Sequence, residues 1–71
     1  MEKGDQVEVI TQNAAGSYLQ LGDRGEVCAI DVNGNETWIA VDFDFEFEDA
    51  HDCDGNCING WWVNIEDLKL L

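Results

Sequence analysis

Polar and apolar residues alternate along Gln6-Val7-Glu8-Val9-Ile10, the pattern of a strand with one face on a core. Residues 11–22 are rich in Gln, Asn, Ala, Gly and Ser, and they predict a long loop pinned by Tyr18, Leu19 and Leu21. Asp23-Arg24-Gly25 then tightens the chain, with Gly25 marking a bend or a close backbone approach. Alternation returns over 26–32, with Val27 and Ala29 on one side and Glu26, Cys28 and Ile30 on the other. Asn33-Gly34-Asn35 is the strongest turn signal, because Asn-Gly supplies the positive φ angles of a tight hairpin. The strands flanking it should pair antiparallel.

The partner strand starts near Thr37 and is expected to run through Trp38, Ile39, Ala40 and Val41 into Phe43, Phe45 and Phe47. Its second half, Val41-Asp42-Phe43-Asp44-Phe45-Glu46-Phe47-Glu48, alternates without exception, one face apolar and the other acidic. Residues 49–59, dense in Asp, Gly, Asn and Cys, predict a loop. Gly60-Trp61-Trp62-Val63 follows as a short aromatic strand. Asn64-Ile65-Glu66-Asp67-Leu68 reads as one helical turn, with Asn64 as N-cap and two acids in the first turn. Lys69-Leu70-Leu71 completes the pattern as an edge strand. The expected architecture is mostly β: a small SH3-like five-stranded barrel with one short helical turn before the last strand, forming a single domain over 1–71.

Composition narrows the function. A chain of 71 residues with 45% apolar residues can bury one core and no more. Sixteen Asp and Glu stand against Lys3, Arg24 and Lys69, for a net charge of −13. Direct nucleic-acid binding rests on Lys and Arg neutralising phosphates, so it is disfavoured, and an anionic membrane surface would be repelled equally. A basic protein surface or a divalent cation is the expected partner. Met1-Glu2-Lys3-Gly4-Asp5 has no signal-peptide character and no run approaches the roughly 20 apolar residues of a span, so a cytoplasmic location is expected. With one His, no Ser-His-acid arrangement and no glycine-rich phosphate loop, the chain reads as a binding protein rather than an enzyme.

Gly4-Asp5-Gln6-Val7-Glu8-Val9, Leu21-Gly22-Asp23-Arg24-Gly25-Glu26-Val27, Trp38-Ile39-Ala40-Val41-Asp42-Phe43 and the ending Gly60-Trp61-Trp62-Val63…Glu66-Asp67-Leu68-Lys69-Leu70 together resemble small SH3-like and KOW-type barrels. The chain looks particularly like short phage and prophage proteins in which a His-x-Cys loop precedes a Gly-Trp-Trp-Val strand. KOW domains commonly bind RNA or ribosomal and transcription proteins. This chain lacks the basic face that such binding uses, so that activity does not transfer.

Three constellations carry candidate chemistry. The first is the acidic row Asp42, Asp44, Glu46 and Glu48, continued by Asp49, Asp52 and Asp54: seven of the 16 acids within 13 residues. Along a strand such a row spaces carboxylates by about 6.6–6.8 Å, close to alternate phosphates of a nucleic-acid strand at about 3.4 Å each. It would suit a host or bacterial nucleic-acid-binding protein, as phage inhibitors of the anti-restriction or anti-CRISPR type do. The plain alternative is a solvated outer face. The second is His51-Asp52-Cys53-Asp54-Gly55-Asn56-Cys57, in which His51, Cys53 and Cys57, with Cys28 as a fourth ligand, could hold a structural zinc ion. A Cys53–Cys57 disulfide or an unliganded loop are the alternatives. Asp52-x-Asp54-x-Asn56 opens like a calcium loop, but Cys57 and Val63 stand where Gly and a bidentate Glu belong. The third is the aromatic set Tyr18, Trp38, Trp61 and Trp62, which in an SH3-like module could line a peptide groove, with Trp61 and Trp62 on opposite faces.

Overall fold

Backbone pairing, more than side-chain pattern, decides where each strand of this protein ends. The computed structural model describes residues 1–12 and 19–71. It contains β1 (Gln6–Val9), β2 (Arg24–Asn33), β3 (Glu36–Phe43), β4 (Gly60–Asn64), a 3-10 turn (Ile65–Asp67) and β5 (Leu68–Leu70). All neighbours pair antiparallel in the order β4-β3-β2-β1-β5. No ladder among the described residues joins β4 to β5, so the protein is a mostly β, five-stranded antiparallel sheet that stays open at both edges. The helical turn forms as expected, with the Asn64 side chain accepting from the Glu66 N–H at 2.9 Å.

The sheet buries apolar side chains on both faces. The main core gathers Val7, Val9, Leu19, Val27, Ile39, Val41, Phe43, Val63 and Leu68, so Leu19 does pin the first loop. Leu21 does not; it lies exposed. Tyr18 falls outside the described residues. A smaller cluster on the other face holds Cys28, Ala40, Cys53 and Cys57, with Ala29 and Trp62 packed against it. Ala40 sits between Ile39 and Val41 on β3, and period-two alternation sends it to the face opposite theirs.

The hairpin turns where expected but with different backbone geometry. Its two central residues are Gly34 and Asn35, and only Gly34, at φ 63°, has positive φ. Glycine at the first central position is the mark of a II′ turn, whereas Asn-Gly at the centre would have required positive φ at both. Gly25 makes the close approach expected of it. A Cβ there would stand 2.4 Å from the Asp42 carbonyl oxygen and 2.9 Å from the Phe43 Cα, so β2 and β3 pack where only hydrogen fits.

Two expectations are corrected. The strand does not continue through Phe45 and Phe47; β3 stops at Phe43. Its partner runs out there, because Phe43 pairs with Gly25 and the Asp44 N–H bonds the carbonyl of Arg24, the first residue of β2. Beyond that point no neighbouring backbone can satisfy a ladder, and alternation without a partner does not make a strand. Instead Phe45 and Phe47 fold onto Phe43, with ring centroids 5.7 and 6.0 Å away, and Phe47 meets Trp61 edge-on at 6.0 Å. The second correction concerns Ala29, expected on the side of Val27. Val27 pairs with Val41 and Ala29 with Ala40, leaving Cys28 as the extra residue of a β-bulge. The bulge breaks the alternation, so Val27 joins the main core while Cys28 and Ala29 both pack in the second cluster.

Candidate functional site

The acidic segment keeps its period of two in burial although it loses it in hydrogen bonding. Phe43 is buried and Phe45 and Phe47 are half-buried, whereas Asp44, Glu46, Glu48 and Asp49 are exposed. The aromatic stack therefore holds the row of carboxylates outward in place of a ladder. None of these four forms an ion pair among the described residues. The two ion pairs found there both converge on Glu8, from Arg24 at 2.8 Å and from Lys69 at 3.3 Å. Register explains this, because Glu8 lies directly opposite Arg24 on β2 and Lys69 on β5. The Arg24 guanidinium, and then the Lys69 ammonium, hold the Glu8 carboxyl below its ordinary value. Two of the three basic side chains are thus committed to Glu8, even though the Arg24 carbonyl accepts from the Asp44 N–H beside the acidic end of β3.

Asp42 leaves the row. Its Oδ1 accepts from the Asn59 N–H at 2.8 Å and the Ile58 N–H at 3.3 Å, and the Phe43 N–H donates to the Asn59 carbonyl at 3.0 Å. It anchors the end of the 49–59 segment over β3, a structural task that the regular alternation concealed. The side-chain signal for it was slight: an acid two residues from Ala40 on the same face, followed by a loop with free backbone donors.

That loop returns to the sheet through His51, which exchanges backbone hydrogen bonds with Gly60 at 3.1 and 2.8 Å. Between them Cys53, Asp54 and Gly55 all adopt positive φ, at 47°, 60° and 88°. This left-handed turn is closed by bonds from the Asn56 N–H to the Cys53 carbonyl and from the Cys57 N–H to the Asp52 carbonyl. Positive φ at two non-glycine residues is costly, of order 1–2 kcal/mol each, and persists where the surroundings enforce it. Here the turn carries Cys53 and Cys57 under the sheet, both buried. A Cβ on Gly60 would meet the Cys53 Sγ at 2.7 Å and the Cys57 Sγ at 2.8 Å, so both sulfurs point into the space that this glycine leaves empty.

All three cysteines are free, buried and in one cluster. Burial pushes the Cys53 thiol up to about 11. The Cys57 thiol is pushed higher still, by burial first and then by interaction with Cys28 and with Cys53. His51 stands apart from them. Its Nδ1 accepts from the Cys53 N–H at 3.0 Å, and its ring packs on Trp61 with centroids 5.1 Å apart. The expected quartet of His51, Cys53, Cys57 and Cys28 is therefore not assembled, and no group of three or more His, Cys, Asp or Glu side chains among the described residues is arranged to hold a metal ion. Cys28 meets the two loop cysteines on the face opposite Val27, where alternation along β2 sends it, and the bulge carries Ala29 to that face as well. The unbroken apolar run Val27-Cys28-Ala29-Ile30 was the one available sign.

Trp61 packs toward the main core and Trp62 against the cysteine cluster on the other face, as neighbours on a strand must. Among the described residues no helix is long and apolar enough to cross a membrane. Set against protein families, curated proteins and solved structures, the chain matches none of them.

Proposed function

We propose that this protein is a small SH3-like barrel of the phage type, acting in the cytoplasm as a stoichiometric inhibitor or modulator that presents carboxylates to a basic protein surface. The strand order β4-β3-β2-β1-β5 and the 3-10 turn between β4 and β5 support the fold reading. The observation that carries the function is the row Asp44, Glu46, Glu48 and Asp49, exposed and without ion pairs among the described residues, on a backbone pinned by three stacked phenylalanines. A solvated face needs no such backing, whereas a preorganised row of charge lowers the ordering cost of binding. On a chain of net charge −13 its field reaches a basic partner before contact. The natural partner is a protein whose basic surface otherwise holds nucleic acid.

The test is retention of bacterial lysate proteins on the immobilised full chain. Basic nucleic-acid-binding proteins should be held at low salt, released by added salt and displaced by duplex DNA. The variant Asp44→Asn, Glu46→Gln, Glu48→Gln, Asp49→Asn should lose them. If that variant retains the same proteins as the unaltered chain, the acidic row is not the binding face.

A further inference from the structure

β2 is the longest strand, and β1 covers only its first part. Arg24, Gly25 and Glu26 pair with β1, and the last backbone bonds on that side join Val27 to Gly4 at 2.8 Å and to Asp5 at 2.9 Å. Beyond Val27 no described segment is hydrogen-bonded to this edge. β3 takes the backbone groups of alternate residues only. Asn33 and Glu36 close the two-residue turn, and hydrogen-bonded pairs recur at every second position, so Asp31 and Ala29 face β3 while Ile30 and Val32 direct N–H and C=O outward. Their side chains are uncovered as well: Ile30 is 41% and Val32 68% exposed, on the face of the sheet that Ile39 shares with the main core. Asp31, between them, is exposed on the opposite face. A free edge of this kind is a template for strand pairing, and proteins ordinarily blunt it with lysine or proline. Neither stands anywhere in 28–33. From these observations we propose that the Ile30–Val32 edge of β2 is a docking surface for an extended segment of a basic protein, which adds as a further strand with an apolar-basic-apolar pattern.

Added antiparallel, the segment completes the outward N–H and C=O groups of Ile30 and Val32, sets its apolar side chains beside theirs, and places a Lys or Arg beside Asp31. Glu36 reinforces the preference for a cation. It lies across from Asn33 on the face of Asp31, and neither acid is ion-paired among the described residues. The same charges disfavour a second copy of the chain as occupant. Pairing symmetric about Asp31 would set this carboxylate directly against its counterpart, on two chains that each carry −13. The edge lies at the far end of β2 from the Asp44–Asp49 row, since the Asp44 N–H bonds the carbonyl of Arg24, the first residue of β2. It is therefore a second contact surface, and it stands whether or not the acidic row binds.

The probe is a short synthetic peptide alternating valine and lysine, titrated into the isotope-labelled full chain and followed by nuclear magnetic resonance. The amides of Ile30 and Val32 should shift most, and their hydrogen exchange should slow by about tenfold or more. Methylating a peptide amide that meets the Ile30 or Val32 carbonyl changes no charge and no side chain of the protein. It should weaken binding by about tenfold or more, because it removes a donor and sets a methyl group between the strands. Val32→Pro deletes an outward N–H and no bond to β3, so it should abolish the shifts with an unchanged far-ultraviolet spectrum. Asp31→Asn should weaken binding by about two- to fivefold. The variant Asp44→Asn, Glu46→Gln, Glu48→Gln, Asp49→Asn should keep the shifts at Ile30 and Val32. Equal affinity for the methylated and unmodified peptides would overturn the edge assignment. So would shifts confined to the Asp44–Asp49 row, which would leave the acidic-row reading intact, or no shift at all with millimolar peptide. Equal binding of a peptide alternating valine and glutamate would refute the basic occupant. Concentration-dependent shifts at Ile30 and Val32 without peptide, accompanied by a dimer in sedimentation, would assign the edge to a second copy and refute it too.

Discussion

Gly25→Ala places a methyl group where β2 and β3 leave no space. The new Cβ would lie 2.4 Å from the Asp42 carbonyl oxygen, 2.7 Å from the Val41 Cγ1 and 2.9 Å from the Phe43 Cα. Two of these obstacles are backbone atoms of the longest ladder in the protein, so relief requires the strands to part rather than a side chain to turn. Overpacking typically costs about 1–3 kcal/mol, and backbone obstacles put this case at the upper end. Alanine recovers about 0.4–1 kcal/mol by restricting the unfolded chain. The net loss is then about 2 kcal/mol, from a total of about 4–11 kcal/mol expected for a domain of this size. At about 4–8 °C per kcal/mol, the midpoint of thermal unfolding should fall by about 8–16 °C, followed by circular dichroism. Gly34→Ala is the control. It has open space but φ of 63°, so its cost is conformational and Gly34→Asn should recover most of it. Gly25→Asn should be worse than Gly25→Ala. A Gly25→Ala midpoint within about 4 °C of the unaltered chain would show that the close approach carries no stability cost.

Gly60→Ala meets side chains instead of backbone, so it should displace the Cys53–Cys57 turn while leaving the sheet paired. The expected readout is faster thiol alkylation with an unchanged far-ultraviolet spectrum. Asp42→Ala should cost about 1–3 kcal/mol in urea unfolding, because it strips an acceptor from the Ile58 and Asn59 N–H groups, whereas Asp44→Ala should stay within about 0.5 kcal/mol. Glu8 is held below its ordinary value of 4.5, so the folded state keeps it ionised longer than the unfolded chain does. Its contribution is complete above that value and is lost as pH falls through the lower folded value. Glu8→Gln should therefore flatten the acid limb of stability as pH falls below about 4.5. An unchanged limb would mean that Arg24 and Lys69 do not act through Glu8.

The strand order followed from what the sequence displays directly: alternation over β1, the Gly34 turn, and the Asn64 cap before β5. Each is a local signal whose cause lies within a few residues. The errors lie where the cause is elsewhere in the chain. Phe45 and Phe47 have a strand pattern, but whether they pair depends on where β2 begins, and Arg24 is its first residue. Asp42 looks like its acidic neighbours until the 49–59 segment folds back and donates to it. Ala29 joins Cys28 on the second face only through a bulge that the partner strand defines, since β2 holds one residue more than β3 between the same pairs. The acidic row was legible as exposed charge, but not the fact that aromatic stacking, rather than a ladder, supports it.

The extra residue in β2 also sets a rule about length. Upstream of Cys28 the strand's faces follow one parity, and downstream they follow the other, so everything from Ala29 to the Gly34 turn depends on a count as much as on residue type. Removing one residue between Ala29 and Asn33 would let Cys28 pair with Ala40 and send the residues between Cys28 and the gap to the opposite face. In this stretch the chain should accept exchanges of residue far more readily than insertions or deletions.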